Sequence, residues 1–319
     1  MSLYPTPSPP ATHEIETVVA TIFPSTSLMV ERVAEGVSTW VYRILSQNET
    51  FYLRILPEDD ASFAPEMAAH TLLRRKQIKV PEIIHFEHCN DVLQRSIMVT
   101  SAIKGQSLKD SPSLSKEVRD AVVAEAGRDL AWINSLPVAG FGWVQRDSPE
   151  TRQLRAQWPT YRAFLLEWWE ADLAYLTKST LSTSQVATLE HLISQYDVYL
   201  NRGDGCLAHG DFDSTHIYQD AGRYTGIIDF GEIRGADQWY DLGHFHLHDR
   251  EQLPFHLEAA LLRGYGEIIS LPSDYQRRIR FTSVLINVRA LARSLQKRPP
   301  NQYTWHLMDV LQQDMAFLL

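Results

Sequence analysis

The sequence predicts an α+β fold in two lobes, a β-rich N-terminal lobe followed by a larger, mainly helical C-terminal one. Three observations carry this. Runs of alternating apolar and β-forming residues fill the first third of the chain. Apolar residues at helical spacing dominate from Ser113 onward. A polar, glycine-containing stretch from Ser101 to Leu108 separates the two regimes. The expected divisions are a disordered tail over 1–12, an N-terminal lobe over 13–100, a hinge over 101–108 and a C-terminal lobe over 109–319.

The 319 residues allow one large domain or two lobes, and 44% hydrophobic with 22% charged content is ordinary for a globular chain. A formal net charge of −9 argues against a nucleic-acid partner, which usually meets a basic face. Two distant cysteines, Cys89 and Cys206, give no disulfide framework and suit a reducing compartment. The start of the chain, rich in proline and serine, has no Lys or Arg and no apolar core of a signal peptide. No run reaches the roughly eighteen apolar residues of a membrane span. The expectation is a soluble cytoplasmic protein, a monomer or weak dimer, with no nucleic-acid or membrane partner.

Taken in order, 15–22 reads as a short helix. Residues 31–44 read as two strands about a turn at Gly36, and 51–56 as a third, forming an antiparallel meander. The Gly36 turn either lies over phosphates or is an ordinary β-turn. Arg54 places a cation in the middle of the third strand, as a phosphate anchor or as an exposed strand residue. A helix with Pro65 at its start spans 65–76, and its Glu66 either pairs with Arg54 or favours the helix dipole. Further strands are expected over 80–86 and 96–100. Helices are expected over 114–134, 154–176, 184–201, 254–269, 274–296 and 303–318, with Trp158, Trp168 and Trp169 as core residues. One β-hairpin, turning at 220–223, is the exception within this helical part.

That exception carries the chemistry. It contains His209-Gly210-Asp211-Phe212-Asp213-Ser214-Thr215-His216-Ile217 and then Gly226-Ile227-Ile228-Asp229-Phe230-Gly231-Glu232. Asp211 and Asp229 each end a short β-like segment. Phosphoryl transfer needs two such carboxylates, one to orient and deprotonate an acceptor hydroxyl and one to hold the Mg²⁺ that bridges nucleotide phosphates. No Gly-x-Ser-x-Gly elbow is present, which sets a serine hydrolase aside. His244, His246 and His248 suggest either a metal cluster or a helix with surface or cleft histidines, and the lack of a further nearby ligand favours the helix.

On these two linked motifs the chain resembles the aminoglycoside phosphotransferase family, most closely its aminoglycoside 2″- and macrolide 2′-phosphotransferases. The resemblance implies a protein-kinase-like two-lobed fold with nucleotide between the lobes. It implies transfer of the γ-phosphoryl group of ATP or GTP to a hydroxylated small molecule, with Mg²⁺ as cofactor. Asp211 would be the catalytic-loop aspartate and Asp229 the Mg²⁺ ligand. His216 stands where most members have a metal-binding asparagine, although the two subfamilies also place a histidine there. Asp241 resembles a structural aspartate, and His209 braces the loop. Arg54 occupies the place of the nucleotide-phosphate lysine and Glu66 that of its partner, while Gly36 and Ser38 belong to the hairpin over the nucleotide. Thr100, Ala102 and Ile103 match the hinge that binds the base through its backbone.

The acceptor implied is aminoglycoside-like. Asp211, Asp213, Glu232, Asp237, Asp241, Asp249 and Glu251 would attract such a polycation. A macrolide, a sugar or amino alcohol, and a non-catalytic nucleotide-binding member are the alternatives.

Overall fold

The computed structural model describes residues 8–24, 28–33, 39–46, 49–149, 153–201 and 203–319. Gly36 and Ser38, expected in a hairpin over the nucleotide, lie outside them. The chain divides into two compact units. The first comprises Met1–Lys104, Gln145–Leu154 and Gly226–Gly231; the second comprises Gly105–Val144, Arg155–Thr225 and Glu232–Leu319.

The first unit opens with α1 (Thr12–Ile22), β1 (Met29–Val33), β2 (Trp40–Leu45) and β3 (Thr50–Ile55). It continues with α2 (Ala64–Arg75), β4 (Ile83–Glu87) and β5 (Ile97–Ser101). The strands form one antiparallel sheet in the order β1-β2-β3-β5-β4. Strand parity decides what each face does. Phe51, Leu53 and Ile55 of β3 point into a core shared with Ile15, Val18 and Val19 of α1. Arg54 therefore faces the other way. Its cross-strand neighbour Met98 packs there with Phe63 and Leu56, beside the start of α2.

In the second unit come β6 (Gln106–Ser107), α3 (Lys116–Ile133), β7 (Pro137–Val138), β8 (Phe141–Val144) and β9 (Ala156–Trp158). Then follow α4 (Tyr161–Leu165), α5 (Trp169–Ser179), α6 (Thr183–Gln195), β10 (Gly205–Ala208), β11 (Ile217–Asp220) and β12 (Arg223–Ile227), whose last two residues belong to the first unit. The chain closes with β13 (Arg234–Ala236), α7 (Trp239–His248), α8 (Glu258–Gly266), α9 (Tyr275–Lys297) and α10 (Gln302–Leu318). Leucines of α5, α6, α9 and α10 make its main apolar core. No helix among the described residues is long and apolar enough to cross a membrane.

The architecture is the expected α+β one, with four corrections inside the second unit. It holds two sheets rather than a lone hairpin: β7-β10-β13-β8-β9 and β12-β11-β6. Strands of two to five residues are too short for alternation to reveal them. The single helix expected over 154–176 is a strand and two helices. Trp158 lies in β9, Thr160 caps α4 by accepting from the Ala163 amide, and a turn at 166–168 interrupts the helical ladder before α5. The helix expected over 184–201 stops at Gln195 and gives way to a 3₁₀ turn over Asp197–Tyr199. The one expected over 254–269 is confined to Glu258–Gly266. The turn at 220–223 is as expected: Ala221 and Gly222 both have positive φ, the requirement of a type I′ hairpin.

Three helices are joined to α7 by one buried charge cluster. His246 lies 3.0 Å from Glu258 Oε2 of α8 and 2.9 Å from Asp314 Oδ1 of α10, and Arg280 of α9 donates to the same Asp314 oxygen at 2.7 Å. Burial opposes charge on the imidazole, but its hydrogen bonds to Asp314 and Glu258 outweigh that and push its pKa up to about 9. A pKa raised on folding stabilises the fold fully below the unfolded value and loses that contribution as pH rises through the folded value. The loss expected for His246 between about pH 6.5 and 9 is at most roughly 3 kcal/mol. Urea denaturation across this range checks it, with His246→Gln expected to show a correspondingly flatter pH dependence than wild type.

Candidate active site

In the second unit the site is built on the loop that leaves β10. Asp241, in the first turn of α7, is fully buried and accepts from the amides of His209 and Gly210 at 2.8 Å each. Asn134, the C-cap residue of α3, adds a third donor to Asp241 at 2.8 Å and also donates to the Leu207 carbonyl at 2.9 Å. Gly210 has φ +90°, and a Cβ there would sit 2.0 Å from the Glu232 carbonyl oxygen, so no side chain fits. This backbone presents Asp211, whose side chain stays 46% exposed.

Histidines surround Asp211. His244 Nε2 is 3.3 Å from Asp211 Oδ1. Partial burial raises the Asp211 pKa, but the hydrogen bond and charge of His244, with help from His216 and His209, hold it well below the usual carboxylate range. Asp211 is therefore ionised and only weakly basic at rest. A carboxylate of this kind can orient a hydroxyl and take its proton as a new bond forms. His216 Nδ1 lies 3.4 Å from Asp213 Oδ1 and 3.3 Å from Thr215 Oγ1, while Thr215 donates its amide to the same Asp213 oxygen at 2.7 Å. A hydrogen on Nδ1 leaves Nε2 as the lone-pair nitrogen of the neutral ring.

The first unit holds the other expected residues. Arg54 is ion-paired with Glu66, whose side chain has no exposed surface. Arg146 Nη2 lies 3.9 Å from Glu66 Oε2 and donates to the Gly231 carbonyl at 2.7 Å. A Cβ on Gly231 would meet Arg54 Nη2 at 3.0 Å and Asp229 Oδ1 at 3.1 Å, so guanidinium and carboxylate flank one glycine. Burial disfavours the Arg54 charge, yet Glu66 and Asp229 outweigh it and hold the pKa above its ordinary value. Asp229 itself has φ +63°, unusual for a non-glycine residue, and accepts weakly from the Gly231 amide at 3.3 Å. Phe230 packs edge-on against His70 of α2 at 4.8 Å.

Thr100 pairs with Tyr52 in the sheet, and the Ser101 and Ala102 amides donate to the Glu82 and Thr50 carbonyls at 2.9 Å each. Those two amides are spent within the sheet. A base read here by Thr100, Ala102 or Ile103 would have to use carbonyls or the amide of Ile103.

Three residues that the motifs do not mark also belong to these clusters: Arg146, Asn134 and His244. Arg146 and Asn134 stand in stretches without a motif. The spacing of the α7 histidines is visible in sequence, but a surface or cleft position does not describe them. His244 is only 7% exposed and His246 is committed to its charge cluster. Among the described residues no group of three or more His, Cys, Asp and Glu side chains could hold a metal ion.

Comparison with known proteins identifies the family and the fold. The model of the phosphotransferase enzyme family matches residues 30–281. A thermostable mutant of aminoglycoside phosphotransferase APH(4)-Ia, in its apo form, is 17% identical with a TM-score of 0.68, over 95% of this chain and 98% of the other. A ternary complex of such a mutant with ADP and hygromycin B gives 18%, 0.67, 95% and 98% in the same terms. The GDP and kanamycin complex of APH(2″)-IIIa is 18% identical with a TM-score of 0.63, over 96% of this chain and 99% of the other. All three share the protein-kinase-like fold.

Replacing Asp241 with alanine would strand three donors, each costing about 1–3 kcal/mol when buried without a partner. Asp241→Ala is expected to lose at least about 3 kcal/mol of stability, read by chemical denaturation followed by circular dichroism. A loss under about 1 kcal/mol would mean that water readily replaces the carboxylate.

Proposed function

Because the chain belongs to the phosphotransferase enzyme family, we propose that it is a small-molecule kinase using ATP or GTP, with an aminoglycoside-like molecule as the first candidate acceptor. The observation that carries this reading is the convergence of Arg54, Glu66 and Asp229 in the first unit, with the exposed Asp229 beside the buried Arg54–Glu66 pair. The ADP and GDP in the similar structures support a nucleoside triphosphate co-substrate.

In this mechanism Arg54, held by Glu66, presents its guanidinium to the nucleotide phosphates. Asp229 offers the hard carboxylate oxygen that suits Mg²⁺, and His216 the imidazole that completes or supports the set. When bound, Mg²⁺ supplies neutralisation of phosphate charge. Asp211 accepts a hydrogen bond from the acceptor hydroxyl and takes its proton as the new P–O bond forms. The bond between the γ-phosphorus and the bridging oxygen breaks, and the nucleoside diphosphate leaves with those electrons. Most of the rate comes from positioning and charge stabilisation.

A second acceptor reading, a less basic hydroxylated molecule such as a macrolide, sugar or amino alcohol, is favoured by one observation. The carboxylates expected to draw a polycation are largely committed. Glu232 is paired with Arg234, Glu251 with His248, and Asp249 with His256 and the Leu257 amide, while Asp241 is buried.

The deciding experiment offers labelled ATP and GTP with Mg²⁺ to a panel of aminoglycosides, macrolides, sugars and amino alcohols. Transfer to one class identifies the acceptor; nucleotide binding with no transfer to any class would favour a non-catalytic member. Asp211→Asn is expected to lower kcat by at least about a hundredfold while nucleotide affinity stays within twofold. Asp229→Ala is expected to abolish Mg²⁺-dependent nucleotide binding in calorimetry. Wild-type binding by that variant would remove the metal assignment.

A further inference from the structure

We propose that His244 is a positioning residue for phosphoryl transfer: as a doubly protonated imidazolium it bridges the Phe212 carbonyl and the Asp211 carboxylate, and so fixes the oxygen that Asp211 turns toward the acceptor. The inference rests on the reading of Asp211 as the group that receives the acceptor's proton.

The argument begins with hydrogen-bond polarity. His244 lies on α7, 7% exposed, with Nδ1 3.2 Å from the Phe212 carbonyl oxygen. A carbonyl only accepts, so Nδ1 carries hydrogen. Nε2 lies 3.3 Å from Asp211 Oδ1. An ionised carboxylate also only accepts, so Nε2 carries hydrogen too, and the ring is cationic. Both contacts are made to consecutive residues of one loop, which pins Asp211 from its backbone side and its side-chain side together. With Oδ1 taken up by the imidazolium, Oδ2 is the oxygen left to receive the acceptor hydroxyl.

The surroundings support a charged ring. Burial disfavours it, but the hydrogen bond and charge of Asp211, with Asp213 and the Phe212 carbonyl, raise the His244 pKa above its ordinary value. His248, one turn along α7, packs against His244 at 4.4 Å between centroids with the rings tilted by 37°. Burial and the charge of His244 lower the His248 pKa, against the pull of Glu251 at 2.5 Å. One imidazolium and one neutral imidazole can pack together where two cations would repel. Tyr303 of α10 covers the far face of this pair, with rings 6.1 Å apart and 6° from parallel to His248. The other titratable or charged side chains that act on Asp211 include His209, His216, Arg234 and Tyr303. Loss of the Nε2 proton would set two lone pairs against each other across the Asp211 contact, and the constraint on Asp211 would go.

The test needs no known acceptor. Nucleoside triphosphate hydrolysis in Mg²⁺, with water as acceptor, is measured for wild type, Asp211→Asn, His244→Phe and His244→Gln from pH 6 to 10. Thermal melts verify that each variant folds. His244→Phe is expected to reduce kcat about tenfold to a hundredfold with nucleotide affinity within twofold. His244→Gln, which keeps a neutral donor at the Nε2 position, is expected to recover most of the loss and to lack the alkaline decline of the wild type. Wild-type hydrolysis by Asp211→Asn would overturn the reading of Asp211 itself. An inactive Asp211→Asn beside a fully active His244→Phe would overturn the role of His244 alone, as would a Gln variant whose alkaline limb matches wild type. Independently of turnover, the ¹⁵N shifts of the His244 ring at pH 7 should report both nitrogens protonated in wild type and a neutral ring in Asp211→Asn; a neutral ring in wild type would sink the proposal.

Discussion

One buried carboxylate governs the site of the second unit. Asp241 has no access to water, and a charge in that position persists only if protein donors replace the lost solvent. Two of its donors are successive amides of the loop before Asp211, and the third is Asn134 at the end of α3. The bonds that make the charge tolerable are the same bonds that fix the backbone. Tyr265 of α8 extends the arrangement by donating to Asn134 at 3.1 Å. Asp211 can then remain partly exposed, because the bonds to Asp241 hold the backbone before it and the contact with His244 holds its carboxylate.

The first unit solves a different problem with the same chemistry. Arg54 must be desolvated on a sheet face yet keep its charge. Glu66 pairs with it directly, Asp229 adds attraction, and Arg146 balances the second carboxylate oxygen while holding the Gly231 carbonyl. Two guanidiniums and two carboxylates thus come from four separate segments of the chain. Arg54 and Glu66 attract strongly because little water competes for them, while Arg146 and the exposed Asp229 extend the set toward solvent.

The parts of this design that were legible in sequence are those encoded locally. The meander of the first unit follows from alternation, and the long helices α3, α9 and α10 follow from apolar spacing and their ends. Asp211 and Asp229 stand out because each closes a short strand within a compact motif. Arg54 was ambiguous for a physical reason: alternation puts it on the face opposite Leu53, but nothing in β3 says that α2 will cover that face. Arg146 and Asn134 could not be marked, since their roles exist only through partners more than seventy residues away. The short strands β7, β9 and β13 are defined by pairing rather than by pattern. The division of 154–176 was hidden because apolar spacing continues across the break between α4 and α5.

The make-up of the first unit has a consequence for biosynthesis. Its sheet and helices are encoded before Lys104, but Arg146 and the Asp229 turn arrive in two later pieces, Gln145–Leu154 and Gly226–Gly231. A ribosome adds about 5–20 residues per second, so a nascent N-terminal sheet exists for several seconds without them. During that interval Arg54 and Glu66 can find each other, whereas the remaining guanidinium and carboxylate of the cluster have yet to be made. This cluster is therefore finished only after most of the polypeptide has emerged, which ties the completion of an early-made unit to the progress of translation through the other.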